Sequence, residues 1–237
     1  MSSEILINIT PMETRVALVE NGVLQEVSVE REQTRGIVGN IYKGKVVRVL
    51  PGMQAAFVDI GLEKAGFIHV DDFHRAADSV DDAAGQGSDI KQYLREGQPI
   101  VFQVIKDPIS TKGARLSTKL SVSSRYLVYM PNEEHIGISQ RIEDESERLR
   151  LREQLDRAIA SNGCTEESEC GGGYILRTAA EGVDAEELAK EIEFLQQLWG
   201  HVSETAKMLT APNLVYEDLP MFLRVLRDMA TPHIEKV

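Results

Sequence analysis

Cysteine, long apolar runs and positive net charge are all scarce in this chain. Its two cysteines, Cys164 and Cys170 among 237 residues, make neither a disulfide framework nor a complete zinc site, and they read as reduced structural bystanders. No window approaches the roughly 18 to 20 consecutive apolar residues of a membrane-spanning helix. The start, MSSEILINIT, lacks the basic stretch and small-residue cleavage site of a secretion signal. A cytoplasmic protein without a membrane partner is the expectation. Several catalytic patterns are missing as well. The five histidines (69, 74, 135, 201 and 233) are scattered, no G-x-S-x-G elbow occurs, and the glycine-rich GQGS and ECGGGY complete no phosphate-binding loop, which argues against serine hydrolysis and nucleotide hydrolysis.

What is present is length enough for a sizeable core and a very uneven charge. Thirty-eight acidic against 26 basic residues give a net −12, which by itself speaks against a nucleic-acid partner. Yet residues 41–70 carry four basic and two acidic side chains, and residues 91–125 carry seven basic and two acidic. Between them the stretch DSVDDAAGQGSD has no hydrophobic period and reads as a solvated loop. A basic face on an acidic protein is a local signal, felt within about a Debye length.

Periodicity divides the chain further. ILINIT, TRVALVE and VLQEVSVE alternate apolar and polar residues around turn-like PME and NG, predicting a three-stranded antiparallel meander over residues 3–30. From residue 41, IYKGKVVRVL, QAAFVDIG, KAGFIHV, PIVFQVIKD and GARLSTKLS predict five short strands with one long loop, the pattern of an OB-type barrel. Beyond residue 125, YLVYMP and YILRT read as strands. DESERLRLREQLDRAIA and DAEELAKEIEFLQQLWGHVSETAK read as amphipathic helices, the second burying Leu188, Ile192, Leu195 and Leu198 with Trp199 packed beside them. The tail LPMFLRVLRDMATPHIEK has helical spacing at Phe222, Val225, Leu226 and Met229 and no closing cap, so the chain is expected to be cut there from something longer.

Two constellations carry chemistry. Phe57 and Phe67 sit near the middle of adjacent predicted strands, with Lys112 in the glycine-containing segment STKGAR. Bases of single-stranded RNA stack on such rings while lysines follow the phosphates; the alternative is that both phenylalanines are barrel core. Arg177 and Thr178 end the strand YILRT. A guanidinium offers a two-pronged donor to phosphate oxygens, and a neighbouring hydroxyl adds another; the alternative is an ion pair with a local carboxylate such as Glu181. The acidic clusters Asp71/Asp72, Asp81/Asp82 and Glu166/Glu167/Glu169 lie in polar stretches and read as solvated faces, so neither a catalytic residue nor a metal ligand is expected in this chain.

The runs GNIYKGKVVRVLPGMQAAFVDIGLEKAGFIHV, ILINITPMETRVALVENGVLQEVSVE, KGARLSTKLSVSSRYLVYMPN, GISQRIEDESER and GGGYILRTAAEGV resemble, in order and spacing, successive landmarks of the bacterial ribonuclease E/G family. The likeness extends from about residue 3 to about residue 230. It implies an α+β fold: a split ribonuclease-H-like subdomain (residues 1–38, resumed and truncated at 212–237), an inserted five-stranded OB-type β-barrel RNA-binding module (39–119), and an α/β 5′-end sensor (120–211). It also implies that Phe57, Phe67 and Lys112 hold RNA and that Arg177 and Thr178 grip a 5′-monophosphate. Arg141 and the main chain at Val128 and Ser124 would support that grip, Ser124 standing where some members carry glycine.

By the same resemblance the partner is single-stranded RNA, in rRNA precursors and mRNA, and the whole protein is an oligomeric endoribonuclease of rRNA 5′-end maturation and mRNA decay. The family's Mg²⁺ is held by two aspartates, and its intersubunit Zn²⁺ by a Cys-Pro-x-Cys segment. Neither motif occurs here, so no cofactor and no cleavage are expected within this chain. A stand-alone, non-catalytic RNA-binding protein is the other reading.

Overall fold

The computed structural model describes residues 2–73, 89–162, 171–231 and 234–237. Cys164, Cys170, Asp78, Asp81, Asp82, Glu166, Glu167 and Glu169 lie outside the described residues. The chain forms two compact units, one of residues Met1–Gly36 with Asp218–Val237, the other of Ile37–Glu217.

The alternating N-terminal segments form the expected meander of β1 (Ser3–Ile9), β2 (Glu13–Glu20) and β3 (Val23–Arg31). Asn21 and Gly22, at the β2–β3 turn, have φ of 50° and 76°, the doubly positive geometry whose twist suits a two-residue hairpin.

The barrel strands follow at the predicted places: β4 (Ile41–Leu50), β5 (Ala55–Asp59), β6 (Gly66–His69), β7 (Pro99–Lys106) and β8 (Arg115–Ser117). Their order is β4-β5-β6-β8-β7, and β4 pairs back onto β7, closing a five-stranded barrel. Val46, Val58, Ile68, Phe102, Val104 and Leu116, from all five strands, fill its interior.

A second sheet comprises β9 (Val122–Ser123), β10 (Leu127–Met130), β11 (Ile136–Ile138) and β12 (Gly173–Leu176), ordered β11-β12-β10-β9. The helices α1 (Glu145–Ser161) and α2 (Ala185–Met208) bury Leu151, Leu155, Leu188, Ile192 and Leu195 in one core with Leu127, Tyr129, Tyr174 and Leu176 of this sheet. Both start where a carboxylate caps them: Asp144 accepts from the Ser146 N–H and Asp184 from the Glu187 N–H, each cap contributing about 1 kcal/mol.

Barrel and second sheet share a wall. In β4, Ile41 is buried in the core of the second sheet while its neighbour Tyr42 is buried in the barrel core. After α2, β13 (Asn213–Tyr216) pairs antiparallel with the same end of β4. The Lys43 ammonium donates to the Ala206 carbonyl at 2.8 Å, placing a cation at the negative end of the helix.

That pairing moves one expected boundary. Residues 212–217 do not open the resumed N-terminal part; they lie on the barrel, and the segment that joins residues 1–36 begins at Asp218. There α3 (Met221–Met229) lies against β2, its Val225 and Met229 facing Ile5, Val16 and Leu18. Glu30 accepts from the Met221 N–H at 3.2 Å, supplying the cap that Pro220 cannot. The tail is not helical to its end, contrary to the spacing: β14 (Ile234–Lys236) follows and pairs parallel with β1. Three residues carry too little periodicity to be seen, and only the partner edge of β1 makes them a strand. No helix among the described residues is long and apolar enough to cross a membrane.

Candidate nucleic-acid interface

Antiparallel register brings Phe57 of β5 directly opposite Phe67 of β6. Their rings meet edge to face, centroids 5.9 Å apart at 66°. Phe57 is 37% exposed, and neither ring belongs to the barrel core, whose residues on these strands are Ala56, Val58 and Ile68. Strand alternation explains this: the core takes one parity and the outer face takes the other.

The same register line crosses the whole barrel. Arg48 of β4 pairs with Phe57, Phe67 pairs with Arg115 of β8, and Arg115 pairs with Lys106 of β7. Arg48 and Lys106 are both exposed, which strict alternation would forbid, since Arg48 shares parity with the buried Val46 and Lys106 with the buried Phe102 and Val104. The ladder slips once at Val47 and once at Ile105. Each bulge adds one residue and turns the cation after it outward. The result is an aromatic pair with cations on both sides. Arg115 is itself tied down, donating from Nε and Nη2 to the Asp72 carboxylate at 3.0 and 3.2 Å. His69, two residues beyond Phe67 on the same face, has Nδ1 3.0 Å from Asp71 Oδ2.

Lys112 is exposed in a tight turn closed by reciprocal bonds with Ile109 (2.9 and 3.1 Å). Gly113 follows because nothing larger fits: a Cβ there would stand 1.8 Å from the Ala65 carbonyl oxygen. One residue later the Ala114 carbonyl accepts from the Phe67 N–H at 2.8 Å. The lysine turn is thereby fixed beside the strand that carries Phe67.

The second constellation gathers on the other sheet. Arg177 follows β12, and its Nη1 donates to the carbonyls of Ser124 (2.7 Å) and Arg125 (3.2 Å), while its main-chain N–H donates to Tyr126 (2.8 Å). The exposed Thr178 has its hydroxyl 3.2 Å from that of Ser139. Ser139 Oγ in turn accepts from the Arg141 N–H at 3.3 Å, and the Arg141 side chain is exposed. Val128 lies in β10 opposite Ile175 and Ser123, and Ser124 is buried with its hydroxyl bonded to Glu191 at 2.5 Å. The structure therefore brings Arg177, Thr178, Ser124 and Arg141 to one end of the sheet. It adds two residues that spacing did not single out, Ser139 and Glu191.

The turn after Thr178 is held from below. Glu147, in the first turn of α1, takes both Nε and Nη2 of Arg150 at 2.7 Å and the Gly182 N–H at 2.8 Å, and Arg150 Nη1 reaches the Val183 carbonyl at 3.0 Å. These bonds, that of Arg150 first, hold the Glu147 carboxyl at about 2, well below its ordinary 4.5. A depressed carboxyl stabilises the fold above the unfolded value, and that contribution is lost as pH falls from about 4.5 towards 2. Glu147→Gln is expected to lower stability by about 1 kcal/mol at pH 7, since the pair is partly exposed. In urea titrations the deficit should shrink between pH 4.5 and 2; a pH-independent deficit would refute the ion-pair account.

Among the described residues, no group of three or more His, Cys, Asp or Glu side chains is placed to hold a metal ion.

Residues 36–119 match the S1 RNA binding domain, and residues 121–237 match the Ribonuclease E/G family. The chain is 48% identical over 243 residues to ribonuclease G of Escherichia coli, covering 100% of this chain and 47% of that protein. It is 48% identical over 237 residues to ribonuclease G of Haemophilus influenzae, covering 99% and 46%, and 36% identical over 234 residues to ribonuclease E of Escherichia coli, covering 98% and 21%. It thus spans about half the length of the ribonuclease G sequences it matches.

Proposed function

The chain belongs to the ribonuclease E/G family, and from that premise we propose that it is the RNA-capturing part of a ribonuclease G-like endoribonuclease, holding single-stranded RNA on its barrel and a 5′-monophosphate at Arg177 and Thr178. The observation that carries this reading is the register line Arg48–Phe57–Phe67–Arg115–Lys106 across the outer face of an S1 barrel. Rings on the outer face, Phe57 exposed and Phe67 half-buried, give bases a stacking platform that tolerates any sequence, and cations on both sides follow the phosphates. Lys112 extends the positive rim.

At the other site the Arg177 guanidinium, steadied by two main-chain carbonyls, and the Thr178 hydroxyl offer donors to a terminal phosphate. A 5′-monophosphate has more free oxygens than an internal diester, so such a pocket distinguishes an end from a middle. Arg141, Ser124 and the main chain at Val128 complete this reading of the site.

In the same proposal, residues 1–36 and 218–237 are the two pieces of a ribonuclease-H-like subdomain split by the insertion of everything between. A meander whose first strand takes a parallel partner from the far end of the chain supports it. Metal-assisted cleavage, subunit assembly through zinc, and the cellular roles in rRNA 5′-end maturation and mRNA decay are assigned to the whole protein in the cytoplasm.

The test is equilibrium binding of two short RNAs of one sequence, one with a 5′-monophosphate and one with a 5′-hydroxyl, at fixed salt with Mg²⁺ present. Tighter binding of the monophosphate by roughly tenfold or more, the value of one good charged contact, with both RNAs recovered intact, is the expected result. Equal affinities would remove the 5′-end reading, and metal-dependent cleavage surviving repurification would place the chemistry in this chain.

A further inference from the structure

We infer that Glu191 is a positioning residue for the Arg177 guanidinium, acting through the Ser124–Tyr126 turn. Its use in RNA binding rests on the reading of Arg177 as a 5′-phosphate grip. Glu191 lies on α2 between the core residues Leu188 and Ile192, half-buried at the flank that meets the turn between β9 and β10. One carboxylate oxygen, Oε2, accepts from the Ser124 hydroxyl at 2.5 Å and from the Tyr126 N–H at 2.8 Å.

The opposite side of the same turn belongs to Arg177. Ser124 and Arg125 give their carbonyls to Nη1, and Tyr126 gives its carbonyl to the Arg177 N–H. Three consecutive residues thus stand between an anion and a cation. A carboxylate only accepts and a guanidinium only donates, so the pair sorts the turn's polar groups. The hydroxyl and amide face Glu191, which leaves the carbonyls facing Arg177. Without the carboxylate the turn keeps the Ser124 N–H bond to the Leu127 carbonyl at 2.9 Å, but it loses the acceptor that draws the Ser124 hydroxyl and the Tyr126 amide to the far side, and the seat of the guanidinium loosens. A glutamine keeps an acceptor oxygen in the same place; an alanine keeps nothing.

The experiment follows the Arg177 side-chain Nε–H resonance by NMR in the whole chain, alongside binding of 5′-monophosphate and 5′-hydroxyl RNA. In Glu191→Ala the resonance is expected to move to the position and solvent-exchange rate of an unrestrained arginine, and the monophosphate preference to fall about tenfold, while 5′-hydroxyl RNA binds as before. Glu191→Gln should keep the resonance and stay within about twofold in preference. Should Glu191→Ala fail to fold, Ser124→Ala removes the shorter of the two bonds and is expected to shift the resonance in the same direction. An Arg177 resonance unmoved by loss of the carboxylate overturns the inference, as does a Glu191→Gln defect equal to that of alanine. A wild-type protein indifferent to the 5′ group, whose Arg177 resonance nonetheless moves in Glu191→Ala, would refute the phosphate reading and uphold the positioning.

Discussion

Replacing Phe57 and Phe67 together by alanine is expected to weaken binding of a 5′-hydroxyl oligoribonucleotide by on the order of a hundredfold, with each single change costing about tenfold. Stacking of a base on an aromatic ring contributes roughly 1 to 3 kcal/mol, and 1.4 kcal/mol is a factor of ten. The pair should fall somewhat short of the product of the singles, because the rings touch each other at 5.9 Å and contacting residues are not independent. Two accompanying measurements separate this from damage to the barrel. Thermal stability should change little, since Phe57 is 37% exposed and both rings sit outside the packed interior. The salt dependence of the residual binding should keep its slope, because the exposed cations Arg48, Lys106 and Lys112 remain. Undiminished RNA affinity in the double variant would show that RNA does not use this face.

The second large effect belongs to Arg177. Arg177→Ala should abolish the preference for a 5′-monophosphate, a loss of roughly ten- to a hundredfold for that RNA given about 1.5 to 3 kcal/mol for a charge-assisted contact. Binding of the 5′-hydroxyl RNA should stay near wild type, because the stacking pair is on the barrel and Arg177 is not. Arg177→Lys tests geometry against charge. A lysine keeps the positive charge but gathers its three donors on one nitrogen, without the rigid fork that rests one nitrogen on the carbonyls of Ser124 and Arg125 and turns the others towards a phosphate. The lysine variant should therefore resemble the alanine variant. A lysine that restores full preference would mean that simple attraction, not the fork, selects the end.

Much of the frame was legible from residue patterns because local and tertiary preferences agree in it. β4 begins and ends where IYKGKVVRVL does, and the two long helices begin just after Asp144 and Asp184, which cap them as those residue types do. The aromatic pair was legible too, although only register decides that the two rings are direct neighbours. The cations beside them were harder. Alternation assigns Arg48 and Lys106 to the interior, and two single-residue slips that no local pattern announces reverse the assignment. Glu191 meets residues 65 to 67 positions away, a distance over which one sequence carries no contact signal. β13 and β14, of four and three residues, are strands only because an open edge of another strand is waiting for them.

β4 has one consequence for how RNA would be measured along this surface. A strand with Ile41 in one core and Tyr42 in the other, zipped to β13 at the same end, ties the barrel and the sheet that carries Arg177 together through packed side chains. The separation of the two proposed contact sites is then as stiff as the packing itself, and a strand bound at both would be read like a length against a ruler. Under the proposed reading, the count of nucleotides between a gripped 5′ end and the stacking pair would be a constant of the fold, and RNA one nucleotide short would have to stretch or let go at one end.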